Sequence, residues 1–235
     1  MALPKLNNTL KYELTIPSTN KKVRFRPFLV KEEKNLMIAM ESKNSATIIH
    51  TLLAIIKECV DDDIVEKQLA TFDVEHMFLR IRSKSVGESS KVAMKCSECN
   101  ETTETVIPID DITVDVPKIE KTIQLTDDIS VEVDWPTYAA LAEFNITDTT
   151  RTEDLFKMMA KCFKAIITDE ERINVDDVPL SEVEEFIESM SSEQFLKIQK
   201  FAESVPRLKH ELEFKCEHCG HDNKVVVEGL EGFLS

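Results

Sequence analysis

The sequence predicts an α+β protein made of two similar hairpin–helices–knuckle units that meet at a four-cysteine site. Three observations carry that expectation. The same order of elements can be read twice along the 235-residue chain. A Cys-x-x-Cys pair closes each run, at Cys96 and Cys99 and again at Cys216 and Cys219. Each pair lies between two short strand-like segments and is followed by polar turn residues, the setting in which a turn aims two thiolates at one metal.

The first unit, 1–116, opens with a hairpin. Lys11-Tyr-Glu-Leu-Thr-Ile16 and Lys22-Val-Arg-Phe-Arg26 flank the turn-forming Pro17-Ser-Thr-Asn20. Pro27 follows, and a charged helix is expected over 30–41. A second helix carries Ile48, Leu52, Ile55, Ile56 and Cys59, spaced i, i+4, i+7, i+8 and i+11 on one apolar face. Asp61-Asp62-Asp63 interrupts as a solvated loop, and a third helix is expected over 64–70. Asp73 is expected to cap a fourth, whose Val74, Phe78 and Ile81 share a face. Strands over 91–95 and 104–109 enclose the first cysteine pair.

The second unit, 117–235, repeats the order. Strands over 121–126 and 129–133 form a tighter hairpin around Asp127-Asp128, and Pro136 suits the first turn of a helix. The next helix is expected to carry Leu155, Met159, Cys162, Phe163 and Ile166 at the same spacing as before. Ser181-Glu-Val-Glu184 and Ser191-Ser-Glu-Gln194 read as capping boxes opening further helices. Strands over 211–215 and 224–228 enclose the second pair. Leu14 and Leu125 lie 111 residues apart, Val23 and Val131 108, Ile48 and Leu155 107, and the cysteine pairs 120. That drift falls in turns and loops, where insertions are tolerated. Chance likeness of two mixed stretches is the competing explanation.

Four thiolates complete a tetrahedron around a structural Zn²⁺ and leave no open position for chemistry, so such a site staples rather than catalyses. The 116 residues between Cys99 and Cys216 are too many for a simple ribbon. If each unit ends in one knuckle, the two ends meet as a zinc-ribbon-like four-cysteine site that clips the halves together. Redox Cys-x-x-Cys motifs normally open a helix, whose N-terminus lowers the thiol pKa, whereas these open strands. A redox pair or disulfide and plain unligated thiols are the other readings. His218 and His221 are either substitute ligands or solvated loop residues, and Cys59 and Cys162 are expected as core packing.

Composition argues against most other functions. The four glycines, Gly87, Gly220, Gly229 and Gly232, write no phosphate loop or dinucleotide fingerprint, and the five histidines make no HExxH pair. Neither Asp61-Asp62-Asp63 nor Asp176-Asp177 has calcium-loop spacing. No enzyme is expected. A net charge of −15 repels nucleic acid and anionic membranes. Residues 1–31 alone carry +6, leaving −21 on the remainder, so a basic arm sits on an acidic body. That arm either docks on an acidic neighbour or a second copy, or is a lysine-protected hairpin edge. No run reaches membrane-spanning length, and a reducing compartment is expected. The closing Leu230, Phe233 and Leu234 either tuck onto the core or fill a partner's groove.

Several of these segments resemble the baseplate family of T4-type contractile-tailed bacteriophages, whose members are baseplate hub subunits. The likeness is carried by Leu14-Thr-Ile-Pro-Ser-Thr19, by Arg26-Pro-Phe-Leu-Val-Lys-Glu-Glu-Lys34 with Leu36 and Glu41-Ser42, and by Phe72-Asp-Val-Glu75. Arg80-Ile-Arg-Ser-Lys-Ser-Val-Gly-Glu88, the first cysteine pair and Gly229-Leu-Glu-Gly-Phe233 extend it. The resemblance implies a structural role in the virion's tail baseplate after assembly in the host cytoplasm. The partners would be other baseplate or hub proteins, or a further copy of the chain, with no nucleic acid or membrane. An assembly chaperone absent from the virion and a zinc-ribbon nucleic-acid accessory factor are the alternatives. Arg24, Arg26, Lys31, Arg80, Arg82 and Lys84 are expected to form a docking surface, with Leu230, Phe233 and Leu234 as its apolar part.

Overall fold

The computed structural model describes residues 10–144 and 152–233. Strands β1 (Tyr12–Thr15) and β2 (Lys22–Phe25) pair antiparallel, with Leu14 opposite Val23 and both buried. Helix α1 (Val30–Glu41) has the expected bounds but buries only Glu32 and Ala39. Helix α2 (Ser45–Cys59) is the apolar one. Asn44 caps it by accepting from the Thr47 N–H at 2.9 Å, and Ile49, Leu52, Leu53, Ile55, Ile56 and Cys59 go inside. Each such side chain contributes about 1.5–3 kcal/mol of burial.

The expected third helix is a single 3₁₀ turn, Glu66–Gln68. The chain leaving α2 runs along β2 instead: Phe25 bridges Val60, the Asp61 N–H donates to the Arg24 carbonyl at 2.9 Å, and the Arg24 N–H donates to the Asp62 carboxylate at 2.6 Å. Asp61 also pairs with Lys11 at 2.8 Å. The three aspartates lie in a solvated loop as expected, and two of them also stitch that edge. Helix α3 (Thr71–Ser85) begins two residues before Asp73, which is fully buried in its first turn. Its carboxylate accepts from the Ala70 N–H (3.0 Å), the Ser18 N–H (2.9 Å) and the Ser18 hydroxyl (2.6 Å), tying the first hairpin's turn to the helix start.

Strands β3 (Ser89–Lys95) and β4 (Thr102–Pro108) form the first knuckle hairpin. A 3₁₀ turn, Ile109–Asp111, leads to β5 (Thr113–Val114), which pairs with a strand near the end of the chain. Strands β6 (Thr122–Gln124) and β7 (Ile129–Val133) follow, then helices α4 (Tyr138–Phe144) and α5 (Thr152–Cys162). Here the periodicity misleads. The helix stops at Cys162, and Phe163–Thr168 becomes strand β8, pairing with β7 on one side and with β9 (Arg172–Asn174) on the other. Phe163 and Ile166 belong to a four-stranded antiparallel sheet, not to the helix. The β-branched Ile166-Ile167-Thr168 favours a strand once a partner is present.

Helix α6 (Leu180–Glu188) starts after Pro179 with no side-chain cap, so Ser181 forms no capping box. Pro179 supplies the helix entry itself. Helix α7 (Ser192–Glu203) does have its box: Ser191 accepts from the Gln194 N–H and Gln194 accepts from the Ser191 N–H. Strands β10 (Leu208–Lys215) and β11 (Asp222–Glu228) form the second knuckle hairpin, and β10 also pairs with β5.

Two apolar clusters hold the chain. One gathers β1, β2, α2, α3 and both knuckle hairpins, with Leu208, Leu212, Val227, Leu230 and Phe233 from the end of the chain. The other lies between the four-stranded sheet and α5 to α7. There Trp135 stacks on Phe201 (centroids 4.8 Å apart) and meets Phe72 of α3 edge-on at 6.1 Å. No helix among the described residues is long and apolar enough to cross a membrane.

Candidate metal centre

The two knuckle hairpins repeat each other residue for residue at an offset of 120. Ser89 faces Pro108 and Lys95 faces Thr102; likewise Lys209 faces Glu228 and Lys215 faces Asp222. In each turn the first cysteine's N–H donates to a carbonyl five residues on, Cys96 to Glu101 at 2.9 Å and Cys216 to His221 at 2.8 Å. Its carbonyl accepts from Asn100 and Gly220 respectively, both at 3.0 Å. Those two residues have φ of 60° and 74°, the left-handed region in which Asn and Gly are tolerated and which turns the backbone around the sulfurs.

The turns point at each other. Cys96 Sγ lies 3.6 Å from Cys219 Sγ, Cys99 Sγ lies 3.6 Å from Cys216 Sγ, and all four sulfurs fall within 4.8 Å of one another. A metal about 2.3 Å from each of four tetrahedral sulfurs spaces them about 3.8 Å apart, so the cluster has the size of a four-thiolate site. A disulfide needs about 2.0 Å, and all six cysteines are free. Moreover, both 3.6 Å contacts run between hairpins, whereas a redox Cys-x-x-Cys pair closes within its own turn. Cys96 and Cys216 are buried, Cys99 is half-buried and Cys219 is exposed, so one side of the site opens to solvent.

Four clustered sulfurs cannot all carry charge without a cation. Cys216 is pulled down to about 6, first by the Cys219 N–H and then by that of His218. Cys96 is also lowered, chiefly by the Cys99 N–H. Cys99 is pushed up to about 12: the Glu101 N–H favours its thiolate, but desolvation and the neighbouring sulfurs outweigh it. A dication removes this conflict by binding all four as thiolates.

Elsewhere the thiols are inert. Burial pushes Cys59 up to about 11 and Cys162 up to about 12, as suits core residues. The side chains of His218 and His221 are exposed and lie outside the sulfur cluster.

Asn223 and Thr103 went unnoticed in the sequence. Both are buried polar residues on the knuckle strands, and they too are 120 apart. The Ser97 N–H donates to Asn223 Oδ1 at 2.9 Å, and at the equivalent place the Glu217 N–H donates to Thr103 Oγ1 at 3.2 Å. Each turn is thus buttoned to the opposite hairpin. A polar residue at an inward strand position beside each cysteine pair was the available signal.

The six basic residues expected to make a docking surface differ in exposure and in their partners. Arg26 turns inward, donating to Glu32 at 2.9 Å and to the carbonyls of Pro27 (3.0 Å) and Glu58 (2.9 Å). Glu32 is itself buried, and its other oxygen accepts from the Leu29 N–H at 2.7 Å. Arg80 pairs with Asp110 at 2.6 Å and donates to the Ile112 carbonyl at 3.2 Å, bracing the turn after β4. Arg82 is half-buried and Lys84 pairs with Glu88. Only Arg24 and Lys31 among the six keep exposed heads, each beside acidic partners. Leu230 and Phe233 tuck into the first apolar cluster, and Leu234 lies outside the described residues. A different surface is apolar: α1 exposes Val30, Met37, Ile38 and Met40.

A family model described as T4 bacteriophage base plate protein matches residues 9–235, nearly the whole chain. No curated protein and no solved structure matches it.

Proposed function

The chain belongs to the T4 bacteriophage base plate protein family, and from that premise we propose that it is a non-enzymatic structural subunit of the contractile tail's baseplate hub. It acts through contacts with neighbouring baseplate proteins, and its two halves, 1–116 and 117–235, are related units clipped by one structural Zn²⁺ on Cys96, Cys99, Cys216 and Cys219. The observation that carries the clip is the convergence of four sulfurs from sites more than a hundred residues apart. Support for the related halves is the 120-residue repeat in register, turn geometry and cross-hairpin hydrogen bonds. Support for protein contacts is the apolar outer face of α1, since a monomer gains nothing from leaving Val30, Met37 and Ile38 in water.

Two measurements test the reading. Elemental analysis of purified protein is expected to find one zinc per chain, lost in Cys99→Ser with Cys219→Ser. Mass spectrometry of purified particles is expected to find the chain in the virion with other baseplate proteins. Protein purified without metal overturns the clip, and particles lacking the chain overturn the structural role in favour of an assembly factor.

A further inference from the structure

Asn223 is buried and uses every hydrogen-bonding position of its amide. Its Oδ1 accepts from both the N–H and the hydroxyl of Ser97, each at 2.9 Å. Its Nδ2 donates to the His221 carbonyl at 3.1 Å and lies 3.5 Å from Cys96 Sγ. This set of partners fixes which way the amide points. Turned over, its oxygen would face the His221 carbonyl and the cysteine sulfur, while its NH₂ would face the Ser97 N–H. An N–H therefore has to face the sulfur.

We propose that Asn223 is the positioning residue of the metal centre: it holds the first knuckle turn against the second hairpin and donates an N–H to the Cys96 thiolate. The inference rests on the four-cysteine metal reading. The repeat supplies an internal comparison. At the equivalent place Thr103 performs the first task for Glu217 but offers no amide to Cys216. The two halves of the site are thus alike in backbone and unlike in this one donor. A donor at a thiolate spreads the sulfur's charge and pre-aims it, and partners of this kind change metal affinity about 10- to 100-fold when removed.

Three variants of the full chain separate the tasks. Asn223→Thr keeps an acceptor for Ser97, as Thr103 does for Glu217, and removes the N–H from the sulfur. Asn223→Asp places a carboxylate oxygen there instead. Thr103→Asn keeps an acceptor for the Glu217 N–H and adds an amide opposite Cys216. Each is loaded with Co²⁺, titrated against a chelator and read by its sulfur-to-cobalt charge-transfer absorption, with circular dichroism recording the fold.

Asn223→Thr is expected to bind about tenfold more weakly with its charge-transfer band moved to lower energy, and Asn223→Asp more weakly still. Thr103→Asn is expected to bind more tightly with the band moved to higher energy. Wild-type band position and affinity in all three would overturn the proposal while leaving the metal site standing. A wild-type chain that takes up no Co²⁺ would overturn the metal reading itself. If the Asn223 variants unfold, the band of Thr103→Asn decides alone.

Discussion

Replacing Cys216 by serine removes a buried ligand from the centre of the clip, and the cost can be worked from the chain. The metal joins Cys99 to Cys216 across 116 residues that are otherwise free to separate in the unfolded state. Were the link kept in the unfolded chain, closing a loop of that length would lower its entropy by roughly 5 kcal/mol at 25 °C, which sets the scale of the clip's contribution. The fold itself survives, because Leu208, Leu212, Val227 and Phe233 still bury against the first cluster. For a chain of this size 1 kcal/mol moves the melting temperature by about 2–4 °C, so complete loss of the clip lowers it by about 10–20 °C. Calorimetry of wild type with and without zinc, and of Cys216→Ser in both conditions, measures this. Zinc-free wild type and Cys216→Ser are expected to melt together, well below the zinc-loaded wild type, with hydrogen exchange accelerated first in β10 and β11. Cys162→Ala is the control, its small loss the same with or without metal. Zinc-free wild type melting within about 2 °C of the loaded form would refute the reasoning.

Other perturbations test the frame around the site. Asp73→Ala strands the buried Ala70 N–H and releases the Ser18 turn; it should cost about 2–4 kcal/mol by urea unfolding with an unchanged m-value. Burial and then nearby Arg80 hold His76 down at about 4, below its usual 6.5. The unfolded chain therefore takes up this proton as pH falls through 6.5 while the folded chain resists until 4, and stability drops across that window by at most about 3 kcal/mol. His76→Gln should flatten that part of the wild-type profile, as seen in the difference between the two proteins at each pH. Arg80→Glu should lower stability by more than about 1 kcal/mol because it loses the Ile112 carbonyl and repels Asp110, so loss of partner binding in that variant would not identify a docking surface.

What the sequence made legible was local. Both knuckles, their strands and the outer hairpins follow from turn residues and alternation, and the bounds of α1 from its flanking Pro27 and charge pattern. The helix-to-strand change at Phe163 was not legible, because Leu155, Met159, Cys162, Phe163 and Ile166 satisfy helical spacing across the boundary. Pairing with β7 and β9 decides it, and those strands are distant or short. Charge was a poor guide to exposure for the same reason. Nothing near Arg26 or Arg80 in the sequence reveals that carbonyls from α2 and from the turn after β4 wait to receive them. The sulfurs themselves were legible as ligands, whereas the only mark on Asn223 was a polar residue at an inward strand position beside its cysteine pair.

Zinc-edge X-ray absorption on the purified protein tests the central claim most directly. One zinc surrounded by four sulfurs at about 2.3 Å is the predicted result. A shell containing nitrogen or oxygen ligands, or protein that carries no zinc, would contradict it.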